Sequence, residues 1–422
     1  MKTSHHSTLL FAFLFLLCTS CSQNKNTNKP VEANSRANQN TSTNNNNTSA
    51  DNNNNSIATN TSSDTHTTST TGNQAVNADK SGTKNVLPKN WPWRGICFQS
   101  ENSDASDIAY LASIGVNFVR IQMKPVIRAK RKKLDPKQCF FDELNWAESI
   151  LDECKKHGIT SMVAFNHLVL DPKIDVTEKS QEFWDDKKYT DSTYSMVSII
   201  ANRFKNRGDE LTAYEVMGEP VIQQKGGAKI PPQLELFFKT VLQTIRKVDQ
   251  KRWFLVTPGP WGKPSNYAGF DGYNIQDDRL IYGAHMYLPD LFTHQGIKNK
   301  DKGLAYPGKI NKEYWDRKMV EEKFSHLKKF EKKHNCLVFI GEFQATRWSK
   351  GADEWVKDVL QTIDGNHWSW SLFAFEAGTE LWDPYYDVVN KSLPSKDWEI
   401  EKVGPTTPLW KYMITEFAKN KK

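Results

Sequence analysis

The sequence predicts an α/β fold, a closed (β/α)8 barrel of the TIM type, on three observations. From Gly95 onward, short apolar runs rich in β-branched and aromatic residues alternate with longer amphipathic segments, the pattern of repeated βα units around a parallel sheet. Eight runs can be placed, near Gly95–Gln99, Asn117–Gln122, Thr160–Asn166, Thr212–Met217, Trp253–Thr257, Leu280–Tyr287, Leu337–Phe343 and Trp368–Phe373. Several are continuously apolar, CLVFIGEF being the clearest, as strands buried on both faces must be. Between them FDELNWAESILDECKKHG and LELFFKTVLQTIRKVDQ repeat their apolar residues every three or four positions, as crossover helices do. No glycine-rich phosphate fingerprint follows the first run, which argues against an open nucleotide-binding sheet.

Ahead of this domain the chain has a different composition. Met1–Ser22 opens on Lys2, continues through the apolar stretch Leu9–Leu17 and closes on Cys18-Thr19-Ser20-Cys21. That is the layout of a signal peptide, since a spanning helix needs about 20 apolar residues. A cysteine directly after the apolar segment resembles a bacterial lipobox, so residues 1–21 read as a lipoprotein signal with Cys21 as the lipidated first residue of the mature chain. Ordinary signal cleavage nearby is the alternative. Residues 22–85, as in NQNTSTNNNNTSADNNNN, lack the large apolar side chains that would offset the entropy of ordering, so a disordered tether is expected. Residues 86–422 then form one catalytic domain, normal in size for a barrel with long loops. The expectation is a secreted monomer on the outer surface or in the periplasm, touching the membrane only through its lipid.

The formal charge of +7 is spread over a large surface and does not call for nucleic acid. The run RAKRKK, Arg128 to Lys133, reads as a solvated loop, with contact to an acidic polysaccharide as the alternative. Four cysteines fall in the domain, Cys97, Cys139, Cys154 and Cys336; their spacing matches no zinc pattern, and buried thiols are expected.

In a barrel of this kind the chemistry sits where strands end and βα loops begin. Two glutamates close strands: Glu219 in YEVMGEP on the fourth, and Glu342 in FIGEFQA on the seventh. Side chains at those two strand ends can converge across the barrel mouth. Cleaving a glycosidic bond with retention needs two such carboxylates, one donating a proton to the leaving oxygen and one attacking the anomeric carbon. Alone, either tripeptide would be an isolated strand-end glutamate in an ion pair; together, in this order, they are more specific.

Residues from about 92 to 418 resemble glycoside hydrolase family 5, the cellulase and mannanase family of clan A. The resemblance implies Glu219 as acid/base and Glu342 as nucleophile. FVRIQ is similar to the second-strand motif, which puts Arg120 on the nucleophile; FNHL is similar to the third-strand motif, which puts His167 against the sugar. AHMY is similar to the sixth-strand motif, with His285 near the acid/base and Tyr287 bonded to the nucleophile. HWSWSLFAFE is similar to the eighth strand, where a tryptophan floors the subsite of the cleaved sugar, Trp370 first and Trp368 second. An arginine and a phenol donating to Glu342 would keep it ionised, while Glu219 in a less polar setting would hold its proton. Either histidine alone would read as a satisfied core residue. Among the loop tryptophans, Trp261 and Trp382 are the expected sugar platforms, since sugar C–H faces stack on indole.

One departure stands out. The family's asparagine before the acid/base is Gly218 here. Three readings follow: another side chain, Asn166 for one, reaches the sugar 2-hydroxyl; the substrate carries a bulkier group at C2; or catalysis is lost and binding kept. The implied function is a retaining, endo-acting hydrolase of a β-linked polysaccharide, cellulase-like or mannanase-like, needing no metal or organic cofactor. A non-catalytic glycan-binding protein and an envelope transglycosylase are the alternatives.

Overall fold

The computed structural model describes residues 86–100, 103–166, 168–296, 303–346, 348–375, 386–388, 400–402 and 406–421. The expected signal peptide, Cys21, the tether, His167 and Trp382 lie outside them. Eight parallel strands close into one barrel: β1 (Arg94–Gln99), β2 (Phe118–Met123), β3 (Thr160–Phe165), β4 (Leu211–Val216), β5 (Trp253–Val256), β6 (Leu280–Met286), β7 (Leu337–Phe343) and β8 (Ser369–Leu372). Each pairs with its neighbours in sequence, and β8 returns to β1 with Trp370 opposite Arg94.

The outer layer is built from helices that bury one face. Helix α1 (Asp107–Ile114) follows β1, while α2 (Pro125–Lys132) and α3 (Pro136–His157) follow β2. Asp135 starts α3 by accepting the Gln138 amide, and Gly158 ends it in a left-handed conformation. Helix α4 (Lys187–Phe204) covers β3 and β4, and α5 (Leu234–Arg246) joins β4 to β5. Helices α6 (Arg317–Lys323) and α7 (Ser325–His334) precede β7, α8 (Ala352–Gly365) precedes β8, and α9 (Pro408–Ala418) ends the domain.

One crossover departs from the regular pattern. Between β5 and β6 the chain makes only two 3-10 turns, Pro260–Gly262 and Pro264–Tyr267. Prolines at both turn starts and left-handed glycines at 259, 262, 269 and 272 exclude a continuous helix there. Aromatic rings fill the wall instead: Phe330 of α7 lies 5.0 Å from Tyr267, 5.4 Å from Phe270 and 4.8 Å from Tyr282.

The end of the barrel where strands begin is closed by side chains. Trp93, fully buried, stacks on Phe118 at 4.3 Å and meets Phe339 edge-on at 5.7 Å, over Met162, Ala213, Leu255 and Ile281. Asn420 clasps this end by accepting from Arg94 and donating to the Gly115 carbonyl. The opposite end, where strands stop, carries the polar groups described next. The four domain cysteines are unpaired thiols, Cys97, Cys139 and Cys154 buried as expected and Cys336 partly exposed. No helix among the described residues is long and apolar enough to cross a membrane.

Candidate active site

Strand alternation aims a column of polar side chains from neighbouring strands into the barrel mouth. At its base, β2 contributes Arg120, 2% exposed. Its guanidinium forms a double ion pair with Glu215 of β4, Nε to Oε2 at 2.6 Å and Nη2 to Oε1 at 3.0 Å. The remaining nitrogen, Nη1, donates to Glu342 Oε1 at 2.8 Å and to the Cys97 sulfur at 3.4 Å. Gln122, one step higher on β2, donates to the same Glu342 oxygen at 3.2 Å and accepts from Gln99 of β1. The other Glu342 oxygen accepts from the Tyr287 hydroxyl at 3.2 Å, just past the end of β6.

Glu342 reaches this set of donors through a β-bulge. The β6–β7 register shifts between Ile340 and Glu342, which turns the carboxylate inward. Gly341 occupies the irregular position because a β-carbon there would stand 3.0 Å from His285 Nε2. His285 is buried against this backbone and places Nδ1 3.1 Å from Glu219 Oε1 and 3.9 Å from Glu342 Oε2. Glu219 is 29% exposed and faces the opening.

These contacts set the charge of the buried groups. Burial by itself would raise the Glu342 carboxyl, but the charges of His285, Arg120 and Lys124 and the Tyr287 hydroxyl hold it well below the ordinary glutamate range. Burial likewise opposes charge on His285, yet Glu342 and Glu219 draw its titration above the usual histidine value. Tyr287, buried beside Glu342, is pushed far up and stays a phenol.

Of the residues read from sequence, the barrel brings Glu219, Glu342, Arg120, His285 and Tyr287 together. Trp261 sits in the turn after β5, its neighbour Gly262 packed against the His285 ring and its indole under the Lys179 ammonium at 4.5 Å. Trp370 is a correction. It points outward, fully buried between β8 and the helices, 5.5 Å from Phe417 and 6.0 Å from Phe343. Trp368 is also buried, against Phe324. The aromatic ring that follows β8 at the mouth is Phe373, packed with Cys97 and Ala374.

Glu215 and Gln122 were not expected. The space beside Gly218 is also not an empty slot for a larger C2 group: a β-carbon there would collide with Glu215 Oε1. Among the described residues, Glu219, His285 and Glu342 are the set spaced to hold a metal ion, their ligand atoms within 4.8 Å of one another. Arg120, Gln122 and Tyr287 already point protons at both Glu342 oxygens, an arrangement suited to a bare carboxylate.

Comparison with known proteins gives a consistent picture. The family model described as Cellulase (glycosyl hydrolase family 5) matches residues 76–378. Endoglucanase C of Acetivibrio thermocellus is 21% identical over 324 residues, covering 67% of this chain and 89% of that protein. Cellodextrinase A of Ruminococcus flavefaciens is 22% identical over 271 residues, covering 62% and 75%. Among solved structures, endoglucanase Cel5A of Thermotoga maritima superposes with a TM-score of 0.54 at 19% identity, covering 70% of this chain and 93% of that one.

Proposed function

Because this chain belongs to glycosyl hydrolase family 5, we propose that it is a retaining, endo-acting β-glycanase with Glu342 as nucleophile and Glu219 as general acid/base. It is an O-glycosyl hydrolase by family, and its similarity to endoglucanases supports a β-glucan as substrate. The observation that carries the mechanism is the pair of carboxylates at the mouth, one oxygen of each lying within 4.8 Å of the other. Retaining enzymes hold their two carboxyls about 5–5.5 Å apart, while inverting enzymes leave room for a water between them.

In this reading Glu219 gives its proton to the glycosidic oxygen as Glu342 attacks the anomeric carbon and the C1–O bond breaks. Water, deprotonated by Glu219, then releases the sugar from Glu342. Arg120, Gln122 and Tyr287 keep the nucleophile ionised and aimed, and His285 orients Glu219. The mechanism calls on two carboxylates and water, with no metal or organic cofactor. A β-1,4-glucan is the first substrate, with mannan and mixed-linkage glucan next; Thermotoga maritima Cel5A has been solved with mannotriose as well as cellobiose. We also propose that the protein is a secreted monomer tethered through Cys21.

Reducing-sugar release by the full chain from β-glucans, mannans, xylan and chitosan, with Glu342→Gln as control, tests the activity. Release that Glu342→Gln abolishes supports it. Binding to a glycan without release by the parent would make the barrel a binding module. The acid limb of kcat/KM is expected below pH 4, because Glu342 loses its charge only well under the ordinary range. Tyr287→Phe removes one donor and should raise that limb by about one pH unit.

A further inference from the structure

The proposed chemistry is accelerated by hydrogen bonding to the substituent at C2 of the sugar being cleaved, since such bonds tighten at the transition state. Gly218 offers no side chain, and Glu215 fills the space where one would stand. The side chains that hold the two carboxylates are engaged with them, and the unpartnered His285 Nε2 is buried against the Gly341 backbone. All three Arg120 nitrogens are held by Glu215 and Glu342, Gln122 and Tyr287 donate to Glu342, and His285 Nδ1 meets Glu219.

Lys124 is different. It follows β2 directly, and Arg120, Gln122 and Lys124 alternate up one side of the mouth, so Lys124 stands one step above the amide that holds Glu342. Its backbone is fixed there, the amide donating to Glu143 Oε2 at 2.6 Å. Its ammonium forms no hydrogen bond or ion pair with any described residue and lies 5.5 Å from the centre of the Phe373 ring. The charges acting on it, Glu342, Arg120 and Glu219, are groups of the active site itself. A half-buried ammonium without an acceptor is costly, and the cost falls when a ligand supplies one.

We infer that Lys124 contacts the substrate, donating to the C2 substituent of the sugar attacked by Glu342. The chemistry favours that atom over the other neighbour of the anomeric carbon. The ring oxygen gains positive charge in the oxocarbenium-like transition state, and an ammonium against it would slow the reaction. The C2 oxygen keeps its lone pairs throughout. Asn166 lines the same narrow pocket as Lys124 and is the competing donor. The inference rests on the assignment of Glu342 and Glu219 given above.

The test compares hydrolysis of an aryl β-cellobioside with its analogue lacking the 2-hydroxyl on the aryl-bearing sugar. The enzymes are the parent chain, Lys124→Met and Asn166→Ala, each checked for an unchanged melting temperature. Methionine keeps the apolar stem over Phe373 and removes the charge. Lys124→Met should lose roughly 10- to 100-fold in kcat/KM on the hydroxyl substrate and less than about threefold on the deoxy analogue. Intrinsic reactivity differences between the substrates cancel in that ratio. Equal losses on both substrates would make Lys124 a charge acting on Glu342 and overturn the inference, as would no loss. The same selective collapse in Asn166→Ala and not in Lys124→Met would assign the contact to Asn166. A parent chain that cleaves neither glycoside and releases no sugar from the polymer panel would overturn the hydrolase reading and this inference together, whereas a cleaving parent with unselective variants overturns this inference alone. Where the parent cleaves a polymer other than β-glucan, the aryl glycoside pair is built on that polymer's sugar.

Discussion

Arg120 binds two carboxylates at once, and that makes Glu215 as consequential as the proposed nucleophile Glu342. Removing one partner of a buried ion pair costs about 3–5 kcal/mol, because the remaining charge is left without compensation. Glu215→Ala should lower the urea midpoint accordingly and reduce activity by freeing Arg120 to turn. Gly218→Asn, which restores the residue of the family motif, should fail to improve catalysis and should cost about 1–3 kcal/mol, since its β-carbon meets Glu215. Urea unfolding and kcat/KM of the two variants check both. Glu143 bears on pH. It is fully buried, accepts from Ser100 and the Lys124 amide, and burial pushes its carboxyl up to about 7 against those bonds. A raised carboxyl stabilises the fold fully below its unfolded value near 4.5, and that contribution is lost as pH rises towards 7. Glu143→Gln should therefore flatten the stability profile between those values. At this scale the sequence was readable where polar residues stood at strand ends, as with Glu219, Glu342 and Tyr287. It was less readable inside strands: Glu215 sits in the apolar run LTAYEV, and only its inward parity marks it. Parity was the missed signal for Trp370 too, because Ser369 and Ser371 take the inward positions of β8.

At the scale of elements, the bulge in β7 decides where the Glu342 carboxylate points. Gly341→Ala places a methyl against His285 Nε2 and should cut kcat/KM more than tenfold with a small change in melting temperature, because the strand survives while the histidine shifts. The eight strands were legible to within a residue or two because each is a short apolar run bounded by polar segments. The β5–β6 crossover was not, since an aromatic-rich stretch interrupted by prolines and glycines has no helical period to read. Its consequence for the site is local: the turn that replaces a helix carries Trp261 and seats Gly262 against His285.

For the molecule as a whole, closure depends on contacts between the two ends of the domain. Trp370 pairs with Arg94, Phe375 donates its amide to the Cys97 carbonyl, and Asn420 ties Arg94 to Gly115. Trp93 is the largest piece of the plug beneath, and Trp93→Ala should cost about 3–5 kcal/mol, measured as a drop in urea midpoint with the slope unchanged. That plug has a further effect on traffic. With one pole of the barrel sealed by stacked rings, molecules reach the anomeric carbon only from the mouth, by the route along which the departing sugar leaves. In the proposed double displacement, hydrolytic water therefore waits for that sugar to clear, and a second sugar arriving in the vacated place would compete with it directly. The balance between cutting a chain and passing it to a new acceptor is then set by how long the departing end lingers, and should shift with acceptor concentration.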